Sequence, residues 1–354
     1  MKTQKDEDFD WEGQVGAKPL RLRPQNPRLA IWMGYLVSQI VGFGALAIVT
    51  LIFTNFNFNK LGDVGAWTGG ILGFSQFFLI PFGMGFVASY FWLRDVKDLG
   101  VVVKVNKFYK RQSGEGSAFL NTLLSCFGAA FILREGVVCL LMASPILWMF
   151  MSFGVRTGAH FWRKNPFLSV SLAPIFLLLV FAEAGRPASE PFAVSTQFHS
   201  KASPAALWKY TASYPTNPHP GDWWLWRMGV PMPMSLDGKP VKGGRRDAIL
   251  SGGVSAGSYV THAEFARRLD FKFDQQPRHP EITHHFLLER GRIELIPDGQ
   301  GGTFIKGTSW YRINVAPATY FNGWASAIVH QLHTRVFSWM DELARTDKTK
   351  SLAN

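Results

Sequence analysis

The chain is short of cysteine, short of acid relative to base and, within the apolar runs of its first half, short of charge of either sign. Each scarcity excludes something. The two cysteines, Cys126 and Cys139, both fall in apolar runs, so residues 186–354 have no internal disulfide and cysteine use does not reveal a compartment. Asp and Glu number 25 against 37 Lys and Arg, giving a formal charge of +12. In a soluble chain that excess would raise nucleic acid as a partner. Its placement points elsewhere: six Lys/Arg lie in 1–28, six in 94–117 and three in 156–164, all in short segments flanking apolar runs. Such clusters are the footprint of cytoplasmic loops near anionic lipid, and no nucleic-acid partner is expected. No charged series runs through the apolar half, which argues against a transporter or proton path. The first apolar run starts near residue 30, is long and lacks a small-x-small cleavage site, so it reads as a retained anchor rather than a signal peptide.

What is present divides the chain in two. Residues 1–28 form a tail of mixed charge with little apolar content. Residues 29–184 hold five apolar runs, at about 30–53, 67–92, 118–133, 136–155 and 166–184. A helix needs about 20 mainly apolar residues to cross a bilayer core. The two shortest runs are 118–133 and 166–184, and Arg134-Glu135 forms either a tight surface loop or a re-entrant tip, the loop being preferred. The loop 54–66 carries only Lys60, so the basic segments put the N-terminus in the cytoplasm and whatever follows the fifth crossing outside it. The expected setting is a bacterial inner membrane. Gly34, Gly42, Gly44, Gly69, Gly70, Gly73, Gly83 and Gly85 stud the first two runs. Small residues let helices approach closely, within one bundle or against another membrane subunit. Gln39 and Gln76 are expected to bond to each other across the bundle, and Trp32, Trp67, Trp92 and Trp162 sit near run ends, where interfacial aromatics belong.

Residues 190–346 read as a separate globular domain, with 347–354 a tail. A strand over 191–200 is followed by a helix over 203–213, with Ser203 as N-cap and Pro204 at the first helical position. A Pro- and Trp-rich stretch, 215–234, comes next. Strands are expected at 244–251, 255–265, 268–275, 284–296 and 303–315. Leu269, Phe271 and Phe273 alternate with Asp270, Lys272 and Asp274. Asp298-Gly299-Gln300-Gly301-Gly302 supplies a hairpin turn. A long helix from Pro317 to about Arg345 carries Phe321, Trp324, Ile328, Leu332, Val336, Trp339 and Leu343 as one apolar stripe for the sheet. The fold class is therefore a transmembrane helical bundle followed by an α+β helix-grip domain.

The segment Gly307-Thr-Ser-Trp-Tyr-Arg-Ile-Asn-Val-Ala-Pro-Ala-Thr-Tyr, with Trp324-Ala-Ser-Ala-Ile-Val-His330-Gln-Leu-His333, resembles the SRPBCC (START-like, polyketide-cyclase-like) superfamily. It looks closest to bacterial members with an N-terminal membrane region. Phe198 and Ser203-Pro204-Ala205-Ala206-Leu207-Trp208 also fit the opening strand and helix. The resemblance covers about 190–346. It implies an apolar cavity between sheet and long helix for a hydrophobic ligand, and supplies no shared catalytic motif.

His330 and His333 share a helix face. With His284 or His285 they form a weak metal candidate; otherwise they line the cavity or bond within the core. Trp310 and Tyr311 lie on opposite faces of the last strand, one toward the cavity, and Trp324 joins the candidate wall. Trp223, Trp224 and Trp226, with Met232 and Met234, suggest a cavity mouth touching the membrane, or equally a patch packed on the transmembrane bundle. Gly243-Gly244-Arg245-Arg246-Asp247 and Gly252-Gly253 lack the lysine and the setting of a phosphate loop and are read as turns and bulges. Ser251 and Ser255 make no nucleophile elbow. No metal, cofactor or catalytic residue is assigned. The leading expectation is binding of a lipid or quinone-like molecule beside the bilayer. The alternatives are an accessory subunit of a membrane complex and a cyclase- or dehydratase-type enzyme, which would need a polar cluster in the cavity.

Overall fold

A computed structural model describes residues 27–55, 73, 75–92, 107–164, 190–282 and 285–353. The fifth apolar run, Trp67, Gly69, Gly70, His284 and most of the basic segments lie outside these residues. The N-terminal part is helical: α1 (Pro27–Asn55), a π turn (Ser75–Leu79) leading into α2 (Ile80–Trp92), α3 (Lys107–Gly128) ending in a π turn (Ala129–Leu133), and α4 (Val137–Lys164). Three helices are long and apolar enough to cross a membrane, over Arg28–Val49, Gly114–Leu133 and Val137–Trp162.

Backbone packs on backbone between α2 and α4. A Cβ on Gly154 would lie 2.0 Å from the Phe82 carbonyl oxygen, and one on Gly85 would lie 2.1 Å from that of Met151. Gly34 and Gly42 are filled by Trp92 and Met84, so these glycines serve packing within the chain. The polar contact expected between Gln39 and Gln76 is replaced by another. Gln39 donates to Asn121 Oδ1 at 2.8 Å and to Ser125 at 3.1 Å, while Asn121 donates to Ser38 at 2.6 Å. These bonds tie α1 to α3. Gln76 Oε1 is buried without a hydrogen-bond partner among the described residues. Trp92 and Trp162 turn their indole N–H groups inward, to the carbonyls of Ile31 and Phe86. Pro145 interrupts α4 without an N–H to give, and Ser144 donates to the Leu141 carbonyl so left over. Arg134 turns the α3–α4 hairpin in the left-handed region, φ 57°.

The C-terminal part follows the expected order. It comprises β1 (Phe192–Ser200), α5 (Pro204–Trp208), the four-residue α6 (Trp224–Arg227), β2 (Pro233–Gly238), β3 (Arg245–Leu250), β4 (Ser255–Glu264), β5 (Arg268–Gln275), β6 (Phe286–Pro297), β7 (Thr303–Ile313) and α7 (Ala318–Ala353). The sheet is antiparallel in the order β1-β7-β6-β5-β4-β3-β2. Register shifts in β4 and β6 mark the bulges that bend such a sheet. Ser203 caps α5 through the Ala206 amide. Asp298 fixes the β6–β7 hairpin by accepting from the Gln300 and Gly302 amides, both at 2.8 Å. Strand β2 starts at the end of the Pro- and Trp-rich stretch and runs through residues given no element in the sequence reading, and α7 runs through the supposed tail.

The C-terminal part of the expected stripe does meet the sheet core: Trp339 is buried there, and Val336 and Leu343 pack against it, beside the buried Phe337, Met340 and Ala344. Phe321, Trp324 and Ile328 instead pack on α4 and on the Trp-rich segment around α6. The helix has two partners, so its apolar face is broader than one stripe. Gly154→Ala is expected to cost about 1–3 kcal/mol through overpacking, lowering the unfolding temperature in mild detergent, whereas Gly44→Ala, with open space at the Cβ, leaves it unchanged.

Candidate functional site

A cavity of about 390 Å³ lies between the inner face of the sheet and α7 and extends toward the N-terminal helices. Alternation along each strand selects its wall: Arg246, Ala248 and Leu250 from β3, Ser258 from β4, Phe271 from β5, and Gly307 and Ser309 from β7. Leu332, His333, Phe337 and Met340 close it from α7. Gly307 is required here, because a Cβ would meet the Phe337 ring at 2.3 Å. The same cavity continues past Val138 and Met142 of α4 and reaches Phe43 and Leu46 of α1, Met84 of α2 and Ala129 at the end of α3.

The passage between the two parts is held by acids and backbone. Glu281, in the loop before β6, accepts from the Val138 and Cys139 amides at 2.9 Å each. Those N–H groups belong to the first turn of α4 and have no partner inside the helix, so a carboxylate there also meets the positive end of the helix dipole. His285 Nε2 lies 2.9 Å from Glu135. Tyr320 of α7 donates to the Met142 carbonyl at 2.7 Å. Phe77, Ala143 and Ile146 pack in one cluster with Tyr311, Ile313 and Val329.

Of the five expected wall residues, His333 lines the cavity. It is held on both sides, Nδ1 3.0 Å from Thr196 Oγ1 and Nε2 2.8 Å from Ser309 Oγ. Burial, with His330 nearby, pushes its pKa down to about 4. His330 lies beside it and shares the Thr196 hydroxyl at 3.0 Å. His285 sits at Glu135, away from both, and no group of three or more potential metal ligands occurs among the described residues. Trp310 is under the guanidinium groups of Arg290 and Arg292, at 4.4 and 5.6 Å. Tyr311 points the other way, fully buried, and donates to Asn322 at 2.9 Å. Trp324, Trp223 and Trp226 pack on the cluster around Val138 and Met142, while Trp224 stands 46% exposed. Met232 approaches Gly221, and the Met234 carbonyl accepts from the Asn217 amide.

Sequence reading missed Arg246. It lies in the expected strand 244–251, where its run was read as a turn or bulge and given no role, yet it is 5% exposed and faces the cavity. Its Nη2 donates to the Thr211 carbonyl at 2.9 Å, its guanidinium lies 3.9 Å from the Phe271 ring centre, and its Nε has no hydrogen-bond partner among the described residues. Burial lowers its pKa to about 10. The alternation Arg246, Ala248, Leu250 was the available signal: it puts an arginine in phase with inward apolar residues.

No family model and no curated protein matches the chain. Solved structures similar to it include a protein of Mesorhizobium loti (18% identity, 44% of this chain and 98% of that one, TM-score 0.30). Another is norcoclaurine synthase from Thalictrum flavum, solved with dopamine and hydroxybenzaldehyde (11%, 46% and 94%, TM-score 0.31). A third is an uncharacterized protein from Rhizobium leguminosarum (14%, 46% and 99%, TM-score 0.32). At these scores the likeness carries no argument; the helix-grip description rests on the strand order, the curved antiparallel sheet and the long C-terminal helix.

His333 gives a pH test. An imidazole with its pKa lowered on folding stabilises fully above the unfolded value of 6.5, and that stability is lost as pH falls toward 4, because the unfolded chain then binds the extra proton. The loss amounts to about 3 kcal/mol. Thermal unfolding in detergent should show it between pH 6.5 and 4, and His333→Gln should flatten that slope.

Proposed function

We propose that the chain is a membrane-anchored START-like protein whose helix-grip domain takes a hydrophobic ligand, lipid or quinone-like, from the bilayer beside it. The observation that carries this reading is the continuity of the cavity. Its wall passes from Phe337 and Met340 in the helix-grip interior to Phe43 and Leu46 between the N-terminal helices. A ligand with a long apolar tail could enter from hydrocarbon without crossing water, and burial of its tail would supply affinity.

The proposed arrangement places residues 29–184 in the membrane and 190–346 on its outer face, with the N-terminus in the cytoplasm. The helix-grip domain meets the bundle at the Arg134–Glu135 turn and the start of α4, the ends opposite the basic first turns of α3 from Lys107 and the basic end of α4 at Lys164. That agrees with the side given by the positive-inside rule. The histidines favour binding over acid–base chemistry, since both ring nitrogens of His333 are engaged by hydroxyls.

Native mass spectrometry of protein released from gentle detergent, with lipid extraction of the same sample, tests the proposal. One hydrophobic molecule per chain is expected. Ala248→Trp, which fills the cavity from β3, should remove it while the protein still elutes as a folded species. An empty wild-type cavity accompanied by co-purifying protein subunits would contradict the proposal and favour an accessory subunit.

A further inference from the structure

The arginines on the sheet fall into two kinds. Arg245 pairs with Asp247 and Asp274, Arg268 and Arg292 pair with Asp270, Arg312 pairs with Glu289, and Arg290 lies over the Trp310 ring. Arg246 points inward and has no carboxylate partner among the described residues. It offers five N–H donors in a planar fork. The protein supplies a neutral carbonyl for Nη2 and a ring face at Phe271, leaving Nε buried and without a bond among the described residues. A buried cation without an anion is costly, and a protein retains one where something else brings the opposite charge.

The surroundings suit an acidic head. Ser258 sits directly across from Arg246 in the β3–β4 register and also lines the cavity. Tyr214 lines it too, and burial holds its pKa up at about 12, so its hydroxyl keeps its proton at neutral pH. The rest of the wall is mostly apolar, and its acids and histidines are engaged elsewhere: His333 with Ser309 and Thr196, Glu281 with the amides of α4, and Glu135 with His285. We propose that Arg246 anchors an anion subsite at the inner end of the cavity, and that the ligand is an amphiphile with one acidic headgroup, carboxylate or phosphate. Its chain lies along Phe337 and Met340 and runs toward α4. The fork of Arg246 receives two oxygens of the head in a charge-assisted pair. This inference rests on the cavity being the binding compartment, as proposed above, and adds the chemistry of the ligand's polar end.

The test compares oleate with oleyl alcohol, equal chains with different heads, on the full chain in a nonionic detergent at pH 8. Arg246→Met should weaken oleate binding about tenfold or more and leave oleyl alcohol unchanged. Arg246→Lys, which keeps the charge but loses the fork, should retain part of the preference, and it preserves the test if the methionine variant does not fold. Equal effects of either variant on both ligands would overturn the subsite while leaving the apolar cavity standing. Failure of wild-type protein to bind either ligand would remove the cavity reading and this inference with it. Inorganic phosphate that displaces oleate but not oleyl alcohol at millimolar concentration would assign the site to a small free anion and overturn the amphiphile.

Discussion

The structure turns on the first turn of α4. A helix leaves its first N–H groups without partners, and within apolar surroundings such groups must be satisfied. Here Glu281, from the opposite end of the chain, supplies the carboxylate that takes the amides of Val138 and Cys139. One side chain thereby caps a helix of the bundle and docks the loop before β6. Everything that joins the two parts gathers around that point: Glu135 with His285, Tyr320 on the Met142 carbonyl, and the apolar cluster that mixes Ala143 and Ile146 with Tyr311 and Val329. Because the sheet is fixed there, its inner face opens toward the helices.

The same docking explains the double duty of α7. A closing helix that met only a sheet would need one stripe. This one also meets α4 and the segment around α6, so Trp324 and Ile328 are taken by α4 while His333 and Phe337 face the strands. Trp223 and Trp226 fill the angle between the two surfaces. Three tryptophans within four residues are hard to bury against one element; two of them are packed between the two partners, and Trp224 stays 46% exposed.

Much of this was legible in the sequence, because local rules wrote it. The period-two pattern of Leu269, Phe271 and Phe273, the Ser203-Pro204 cap, the Asp298-Gly299 turn and the long apolar helices each depend on neighbours a few residues away. What was not legible depends on distant partners. The Glu281 cap joins residues 142 apart at Cys139. Gln39 has Gln76 as an attractive partner on paper, but Asn121 and Ser125 occupy that side of α1. Strand β2 was hidden because Pro231 and Pro233 mask an edge strand, where a missing N–H costs little. Arg246 was hidden because it follows two glycines and an arginine that is fully engaged at the surface. Trp310 and Tyr311 were placed on opposite faces, as alternation requires, but which face held the cavity needed the sheet's curvature.

The account depends on one apolar compartment shared by the helix-grip interior and the helical bundle. A fatty acid carrying a photoreactive diazirine along its chain, incorporated into vesicles with the full-length protein, would mark the residues it reaches on illumination. Mapping the adducts by mass spectrometry is the most direct measurement. The account predicts labelling inside both parts, at Phe337 or Met340 as well as at Phe43 or Leu46, which line the cavity together. Adducts confined to outward residues of the bundle, such as Phe127 and Phe131 at 64% and 71% exposure, would show that lipid touches the protein only from outside and would contradict it.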